Sequence, residues 1–123
     1  MEILYVEDNK INAVVIKKML SQYQVDIAAN SDEAFLKVSE KEFDLVLMDI
    51  NLGIGEMNGS EVMLHLRKKY NYDHKPIFAV TAFAMPGDKE RFLNQGFDDY
   101  FSKPVALDQL QLKISELQKK EVN

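Results

Sequence analysis

Residues 3–8 read ILYVED and residues 43–49 read FDLVLMD, and these two stretches decide the fold. Each contains a run of consecutive apolar residues that is followed directly by a carboxylate. Runs this short are typical of strands, and apolar residues on both faces indicate central strands of a parallel sheet covered by helices on both sides. Residues 76–81, PIFAVT, repeat the pattern and end on a threonine.

Short apolar runs alternate with longer amphipathic segments along the whole chain. The predicted strands cover 3–6, 25–29, 43–48, 76–81 and 100–101. The predicted helices cover 9–22, 32–40, 60–70, 88–95 and 107–119. The second strand alternates and the fifth is short, so both are predicted as edges. The sequence therefore predicts an α/β protein with a flavodoxin-like architecture, a doubly wound (βα)5 sandwich around a parallel sheet of order 2-1-3-4-5.

Length and composition exclude several classes of function. A chain of 123 residues predicts one domain, over residues 1–119, and a disordered tail over 120–123. The net charge of −5 argues against nucleic-acid binding. The absence of cysteine excludes disulfides, cysteine-bound metals and thiol nucleophiles, and fits a reducing cytoplasm. No apolar run suits a membrane span and no secretion signal begins the chain, so we expect a cytoplasmic protein without membrane insertion.

Polar residues follow four of the five predicted strands. Glu7 and Asp8 follow the first strand, Asp49 the third, Thr81 ends the fourth, and Lys103 follows the fifth. In a parallel sheet the carboxyl ends of the strands meet at one edge, and ligands bind there near the point where strand order reverses. We therefore expect these side chains to form one site.

The residue types indicate phosphoryl chemistry. Three carboxylates in one place repel one another unless a cation compensates, and Mg²⁺ with the Asn51 backbone carbonyl as a fourth oxygen suits them. Lys103 and Thr81 would then meet an anion such as a phosphoryl group. Without cysteine or a nearby histidine the nucleophile must be a carboxylate. We assign that role to Asp49, which would form an acyl phosphate.

These motifs resemble one known family. The acidic pair at 7–8, VLMDI at 46–50, TA at 81–82 and KP at 103–104 resemble, in order and spacing, the receiver domain of two-component signalling, the CheY-like response regulators. The resemblance covers the chain from Ile3 to the last helix. The strings EDNKIN and DYFSKP look most like receivers of hybrid histidine kinases.

The resemblance implies roles for named residues. It implies a Mg²⁺ site formed by Glu7, Asp8, Asp49 and the Asn51 carbonyl. It implies that Asp49 accepts a phosphoryl group from a histidine of a kinase or a phosphotransfer protein, while Thr81 and Lys103 hold the phosphoryl oxygens. It further implies a cis peptide bond before Pro104. Tyr100 matches an aromatic switch position, although an ordinary half-buried core tyrosine fits it equally well.

Two departures from the family pattern leave alternatives open. The loop NLGIGEMNG over 51–59 lacks the usual proline and is about two residues longer, which makes it more flexible. Glu7 stands where aspartate is commoner. One alternative is therefore a pseudo-receiver that acts only through protein contacts. A phosphatase of the haloacid dehalogenase type would need an acid where Asn51 stands, and a flavodoxin-like cofactor carrier would need a phosphate-binding first loop. We expect a switch with slow self-dephosphorylation, not an enzyme.

The remaining predictions concern surfaces. The first helix is apolar over a wide arc, and we expect Ile11 and Val15 to dock on a histidine kinase or phosphotransfer protein. The domain is expected to be a monomer or weak homodimer, and either a separate regulator or one receiver of a larger hybrid kinase. The charged run at 67–69 is predicted as a solvated helix end and the pair at 98–99 as a turn.

Overall fold

The structure is a computed structural model that describes residues 1–53, 55–82 and 84–122, with side chains described up to residue 119. Strands and helices alternate throughout. The strands are β1 (Glu2–Val6), β2 (Gln24–Ala28), β3 (Leu45–Asp49), β4 (Ile77–Thr81) and β5 (Asp99–Ser102). The helices are α1 (Lys10–Met19), α2 (Ser31–Glu40), α3 (Gly59–Lys69), α4 (Asp88–Gln95) and α5 (Leu107–Val122).

The five strands form one parallel sheet in the order β2-β1-β3-β4-β5. This confirms the predicted flavodoxin-like topology. The register aligns the carboxyl ends of the strands, since Val6 lies opposite Met48 and Thr81 lies opposite Ser102. The residues that end or follow β1, β3, β4 and β5 therefore lie along a single edge of the sheet.

Helices cover both faces of the sheet, as the doubly apolar strands require. On one face α1 and α5 bury an apolar cluster that includes Ile16, Leu110 and Ile114 from the helices and Leu20 directly after α1. On the other face α2, α3 and α4 bury a second cluster whose helical members include Ala34, Val62, Met63, Leu66 and Phe92. Residues at alternate positions of β1, β3 and β4 contribute to one cluster or the other. None of the described helices is long and apolar enough to cross a membrane.

Helix ends differ from the predictions by a few residues. Helix α1 ends at Met19, three residues before its predicted end, and the Leu20 N–H closes it on the Ile16 carbonyl. Helix α5 continues to Val122, whereas the sequence predicts a disordered tail from residue 120. That predicted tail is therefore helical as far as Val122, and Asn123 lies outside the described residues.

Arg67 is not solvated, and the prediction of a solvated charged run is wrong at this position. Its side chain is 14% exposed and its guanidinium pairs with Asp98 at 2.9 Å. It also donates to the backbone carbonyls of Tyr72, Lys75 and Gly96. Asp98 accepts a further bond from the Ile77 N–H. This charged pair therefore fixes the end of α3 to the start of β4.

Candidate functional site

Three carboxylates meet at the carboxyl edge of the sheet. Asp49 is the last residue of β3, and Glu7 and Asp8 directly follow β1. One ligand oxygen from each of the three lies within 4.8 Å of the others. Glu7 and Asp49 are 2% and 3% exposed, whereas Asp8 is exposed. The Glu7 N–H donates to the Ala28 carbonyl at 2.9 Å, which extends the pairing of β1 with β2 into the site.

Lys103 brings a positive charge into contact with both buried carboxylates. Its Nζ lies 2.6 Å from Glu7 Oε1 and 3.4 Å from Asp49 Oδ2. Its backbone N–H donates to the Thr81 carbonyl at 2.8 Å, so the end of β4 positions the lysine. The Lys103–Pro104 peptide bond that follows is cis. The structure thus brings together the acidic residues and the lysine that the sequence assigns to one site.

Sequence reasoning missed Tyr5 as a residue of this site. Its hydroxyl donates to Glu7 Oε1 at 2.8 Å, and the Asn9 N–H approaches Glu7 Oε2 at 3.3 Å. A signal was present in the sequence. Tyr5 carries the one polar side-chain group in the apolar run of β1, and side chains two residues apart on a strand point to the same face.

The two buried carboxyl groups influence each other's ionisation. Burial and the adjacent Glu7 carboxylate raise the pKa of Asp49 to about 7, against the opposing effect of the Lys103 ammonium. Burial also favours a raised pKa for Glu7, but hydrogen bonds with Asp49, Lys103 and Tyr5 outweigh it, so that pKa is lowered. Below a pH of about 7, the metal-free pair therefore keeps one proton, held mainly by Asp49.

This donor set fits a divalent cation that prefers oxygen ligands. Glu7, Asp8 and Asp49 supply carboxylate oxygens, and a cation would relieve the repulsion that the raised pKa of Asp49 reflects. Asn51 follows Asp49 by two residues, and its N–H lies 3.4 Å from Asp49 Oδ1. Its carbonyl stays a predicted fourth ligand.

Thr81 and Tyr100 lie on neighbouring strands beside this cluster. Thr81 ends β4 and is buried. Tyr100 of β5 lies opposite Ala79, which precedes Thr81 by two residues on β4. The Tyr100 ring stacks on Phe92 of α4, with 5.7 Å between ring centroids. Its hydroxyl is buried and has no hydrogen-bond partner among the described residues. Packing therefore holds the Tyr100 side chain in place.

The segment after Asp49 returns to the site at Gly59, the first residue of α3. A side-chain carbon there would overlap the Asp49 carbonyl oxygen and lie 2.9 Å from Ile50 Cα. The Gly59 N–H donates to the Ile50 carbonyl at 2.8 Å. Only glycine allows α3 to begin this close to the strand that carries Asp49. In the loop between Asp49 and Gly59, Gly53 and Gly55 adopt positive φ angles of 109° and 82°.

Ile11 and Val15 lie outside the carboxylate cluster, on the exposed side of α1. They are 75% and 48% exposed. Val15 also lines a groove of about 170 Å³ between α1 and the start of the β5–α5 connection, whose wall includes Lys103 and Pro104. The apolar surface of α1 is therefore continuous with the edge of the site.

Comparison with known proteins agrees with this geometry. Residues 3–115 match the family described as the response regulator receiver domain. The chain belongs to this family. This receiver domain is 38% identical over 107 residues to the polar-differentiation response regulator DivK of Brucella anthropi, covering 85% of each chain. The predicted family is thereby confirmed.

Two further matches place this receiver domain among related proteins. It is 38% identical over 120 residues to hybrid signal transduction histidine kinase G of Dictyostelium discoideum, covering 94% of this chain and 3% of that kinase. The crystal structure of a two-component response regulator from Clostridium difficile superposes with a TM-score of 0.87 at 26% identity, covering 100% of this chain and 99% of that one.

Membership of the family indicates the general function of the chain. Receiver domains bind Mg²⁺ at an acidic pocket and interact with histidine kinases or phosphotransfer proteins. They act mainly as phosphoacceptor switches in phosphorelays and not as conventional enzymes.

Proposed function

We propose that this receiver domain accepts a phosphoryl group on Asp49, from a histidine of a kinase or phosphotransfer protein, in a Mg²⁺-dependent reaction. One observation carries the proposal. The buried carboxylates of Glu7 and Asp49 both lie within 3.4 Å of the Lys103 ammonium, with Asp8 exposed beside them. A nucleophile, a metal-binding acidic pair and a cation for phosphoryl oxygens therefore occupy one small volume.

The transfer step follows from the chemistry of Asp49. An ionised carboxylate oxygen attacks phosphorus in line with the phosphorus–nitrogen bond of phosphohistidine. That bond breaks, its electron pair stays on the imidazole nitrogen, and that nitrogen takes up a proton. An acyl phosphate remains on Asp49, and water later hydrolyses it to aspartate and inorganic phosphate. When bound, Mg²⁺ would neutralise charge on the carboxylates and the phosphoryl oxygens.

Lys103 and Thr81 would hold the phosphoryl oxygens, and the Tyr100 side chain would change position when Thr81 moves toward them. Lys103 Nζ already lies 3.4 Å from Asp49 Oδ2, so a short displacement suffices to reach a phosphoryl oxygen on Asp49. The Tyr100 hydroxyl has no hydrogen-bond partner among the described residues, so a rotation of this side chain would break no hydrogen bond found there. A switch residue needs such freedom to change position.

The test is intact-protein mass after incubation with acetyl phosphate, with and without Mg²⁺. We expect one added phosphoryl group in the wild type with Mg²⁺, and none when Mg²⁺ is chelated or when Asp49→Asn replaces the wild type. A wild type that gains no phosphoryl group, and that also fails to bind beryllofluoride, would contradict the proposal. That result would favour a pseudo-receiver, with the proline-free loop after Asp49 as the first suspect.

We further propose that the exposed apolar side of α1 docks on the helical bundle of the phosphoryl donor. Ile11 and Val15 are large, exposed and one helical turn apart, and Val15 shares a groove with Lys103 and Pro104. A helix docked there would lie beside the carboxylate cluster. Its phosphohistidine would then have a short path to Asp49.

A further inference from the structure

We propose that Tyr5 is a positioning residue for the metal site. Its hydroxyl holds the Glu7 carboxylate in the orientation that binds a divalent cation, both before and after Lys103 moves to a phosphoryl group. The inference rests on the proposed function, since it concerns the cation that the transfer to Asp49 requires.

The position of the Tyr5 hydroxyl is fixed by the core. The ring is fully buried in the cluster that α1 and α5 cover, among residues such as Ile16 and Leu20. These neighbours limit how far the ring can turn its hydroxyl aside, although the ring also borders the groove beside Val15. The hydroxyl donates to Glu7 Oε1 at 2.8 Å, a bond between two buried groups. Tyr5 therefore offers a rigid hydrogen-bond donor at the inner side of the carboxylate.

Glu7 needs such a donor more than a shorter acid would. Glutamate has one more rotatable bond than aspartate, so its carboxylate loses more freedom when a metal fixes it. Residues that hydrogen-bond to a metal-binding carboxylate orient it before the metal arrives. Glu7 Oε1 accepts from Tyr5 and Lys103, while Oε2 is approached by the Asn9 N–H at 3.3 Å. Tyr5 and Lys103 thus orient the same oxygen.

The two donors to Oε1 differ in what they do during the reaction. Lys103 has a flexible side chain and also contacts Asp49, and it is the group proposed to bind phosphoryl oxygens. When it does so, its hold on Glu7 Oε1 weakens. Among the described residues Tyr5 is the other side-chain donor to that oxygen. Tyr5 is uncharged and packed in the core, so neither charge attraction nor side-chain flexibility would move it toward the phosphoryl group.

The test compares Tyr5→Phe with Tyr72→Phe in the full chain. Tyr72 is a matched control because it is also buried, and its hydroxyl accepts a hydrogen bond from the Phe43 N–H at 2.9 Å on the far side of the molecule. The probe is Mg²⁺ alone, titrated while amide resonances near Glu7 and Asp49 are followed by NMR. We expect Tyr5→Phe to raise the Kd for Mg²⁺ about tenfold. Tyr72→Phe should leave it within about twofold while lowering stability to a similar extent.

A second pair of variants shows whether Tyr5 acts through Glu7. In a Glu7→Asp background the shorter carboxylate cannot keep the bond to the Tyr5 hydroxyl. Adding Tyr5→Phe there should change the Kd for Mg²⁺ by less than about twofold. The inference is overturned if Tyr5→Phe binds Mg²⁺ as tightly as the wild type, or if its effect is equally large in the Glu7→Asp background.

A measurement on the wild type covers the case in which Tyr5→Phe does not fold. A buried hydroxyl proton bonded to a carboxylate exchanges slowly with water and gives a downfield NMR signal. The signal from Tyr5 should persist with saturating Mg²⁺, and its loss on Mg²⁺ binding would contradict the inference. If the wild type itself binds no Mg²⁺, the proposed function fails. If the wild type binds and Tyr5→Phe matches it, only the role of Tyr5 fails.

Discussion

Asp49 combines two properties that oppose each other. Burial beside Glu7 favours its protonated form, whereas attack on phosphorus requires its ionised form. A divalent cation among the three carboxylates would resolve the conflict, because it takes the place of the proton and keeps Asp49 ionised at neutral pH. The Mg²⁺ dependence that we propose for transfer to Asp49 is thus the dependence expected from the environment of this side chain.

A pH-dependent loss of stability follows for the metal-free protein. The pKa of Asp49 is raised in the folded state, so its contribution to stability is present at low pH and is lost as pH rises toward the folded-state pKa of about 7. The lowered pKa of Glu7 acts below about pH 4.5, outside this window. Between pH 5 and 8 in EDTA, we expect the free energy of unfolding of the wild type to fall by about 1–3 kcal/mol.

The measurement is urea unfolding at several pH values, with Asp49→Asn as the matched variant. The variant lacks the ionisable group and should show a flatter pH profile, and it should be more stable than the metal-free wild type at pH 8. The two proteins share every other ionisable group, so the difference between their profiles reports on Asp49 and its contact with Glu7. Parallel profiles would show that Asp49 is already ionised at pH 5.

At the scale of elements, the end of α3 depends on Arg67. Its guanidinium donates to four backbone carbonyls and pairs with Asp98, which itself accepts from the Ile77 N–H at the start of β4. Arg67→Met should lower the free energy of unfolding by about 2–4 kcal/mol, because these acceptors lose a charged donor. Lys68→Met, on the same helix and exposed, should change it by less than about 0.5 kcal/mol. Equal denaturation midpoints for the two variants would contradict this.

Substitutions on the exposed side of α1 should slow phosphoryl transfer from a donor protein but not from acetyl phosphate. Ile11→Asp and Val15→Asp should slow transfer from the cognate phosphohistidine protein about tenfold or more, because a charge enters an apolar contact. Both variants should react with acetyl phosphate as the wild type does. Leu64→Asp on α3, similarly exposed, is the control. Transfer at the wild-type rate in the α1 variants would exclude this surface as the docking site.

At the scale of the whole molecule, a phosphoryl group on Asp49 should shift one side of the sheet. We expect amide resonances of β4, α4 and β5, including those of Phe92 and Tyr100, to move when beryllofluoride and Mg²⁺ are added. Resonances of β2 and α2 should move little. Thr81→Val should still bind the ligand, yet the resonance of Tyr100 should then stay near its resting position. Uniform shifts across the chain would argue against a localised switch.

Much of this architecture could be predicted because it depends on local patterns. Apolar runs placed β1, β3 and β4 at the centre of the sheet, and the residues after them identified the carboxylate cluster and Lys103. Contacts between distant residues left no such pattern. Arg67 and Asp98 lie far apart in sequence, and neither the charged run at 67–69 nor the acidic pair at 98–99 indicates that they pair. The bond from Tyr5 to Glu7 depends on a side-chain distance that strand periodicity suggests but cannot fix.

The close approach at Gly59 has a mechanical consequence. Because no space separates the start of α3 from the backbone of Asp49, β3 has a fixed neighbour on that side. Strain introduced by a phosphoryl group cannot be relieved by moving α3 away without breaking the bond from Gly59 to Ile50. We then expect the displacement in β4 and β5, where packing against Phe92 holds the Tyr100 side chain. The absence of a side chain at Gly59 therefore favours a response in β4 and β5 over a movement of α3.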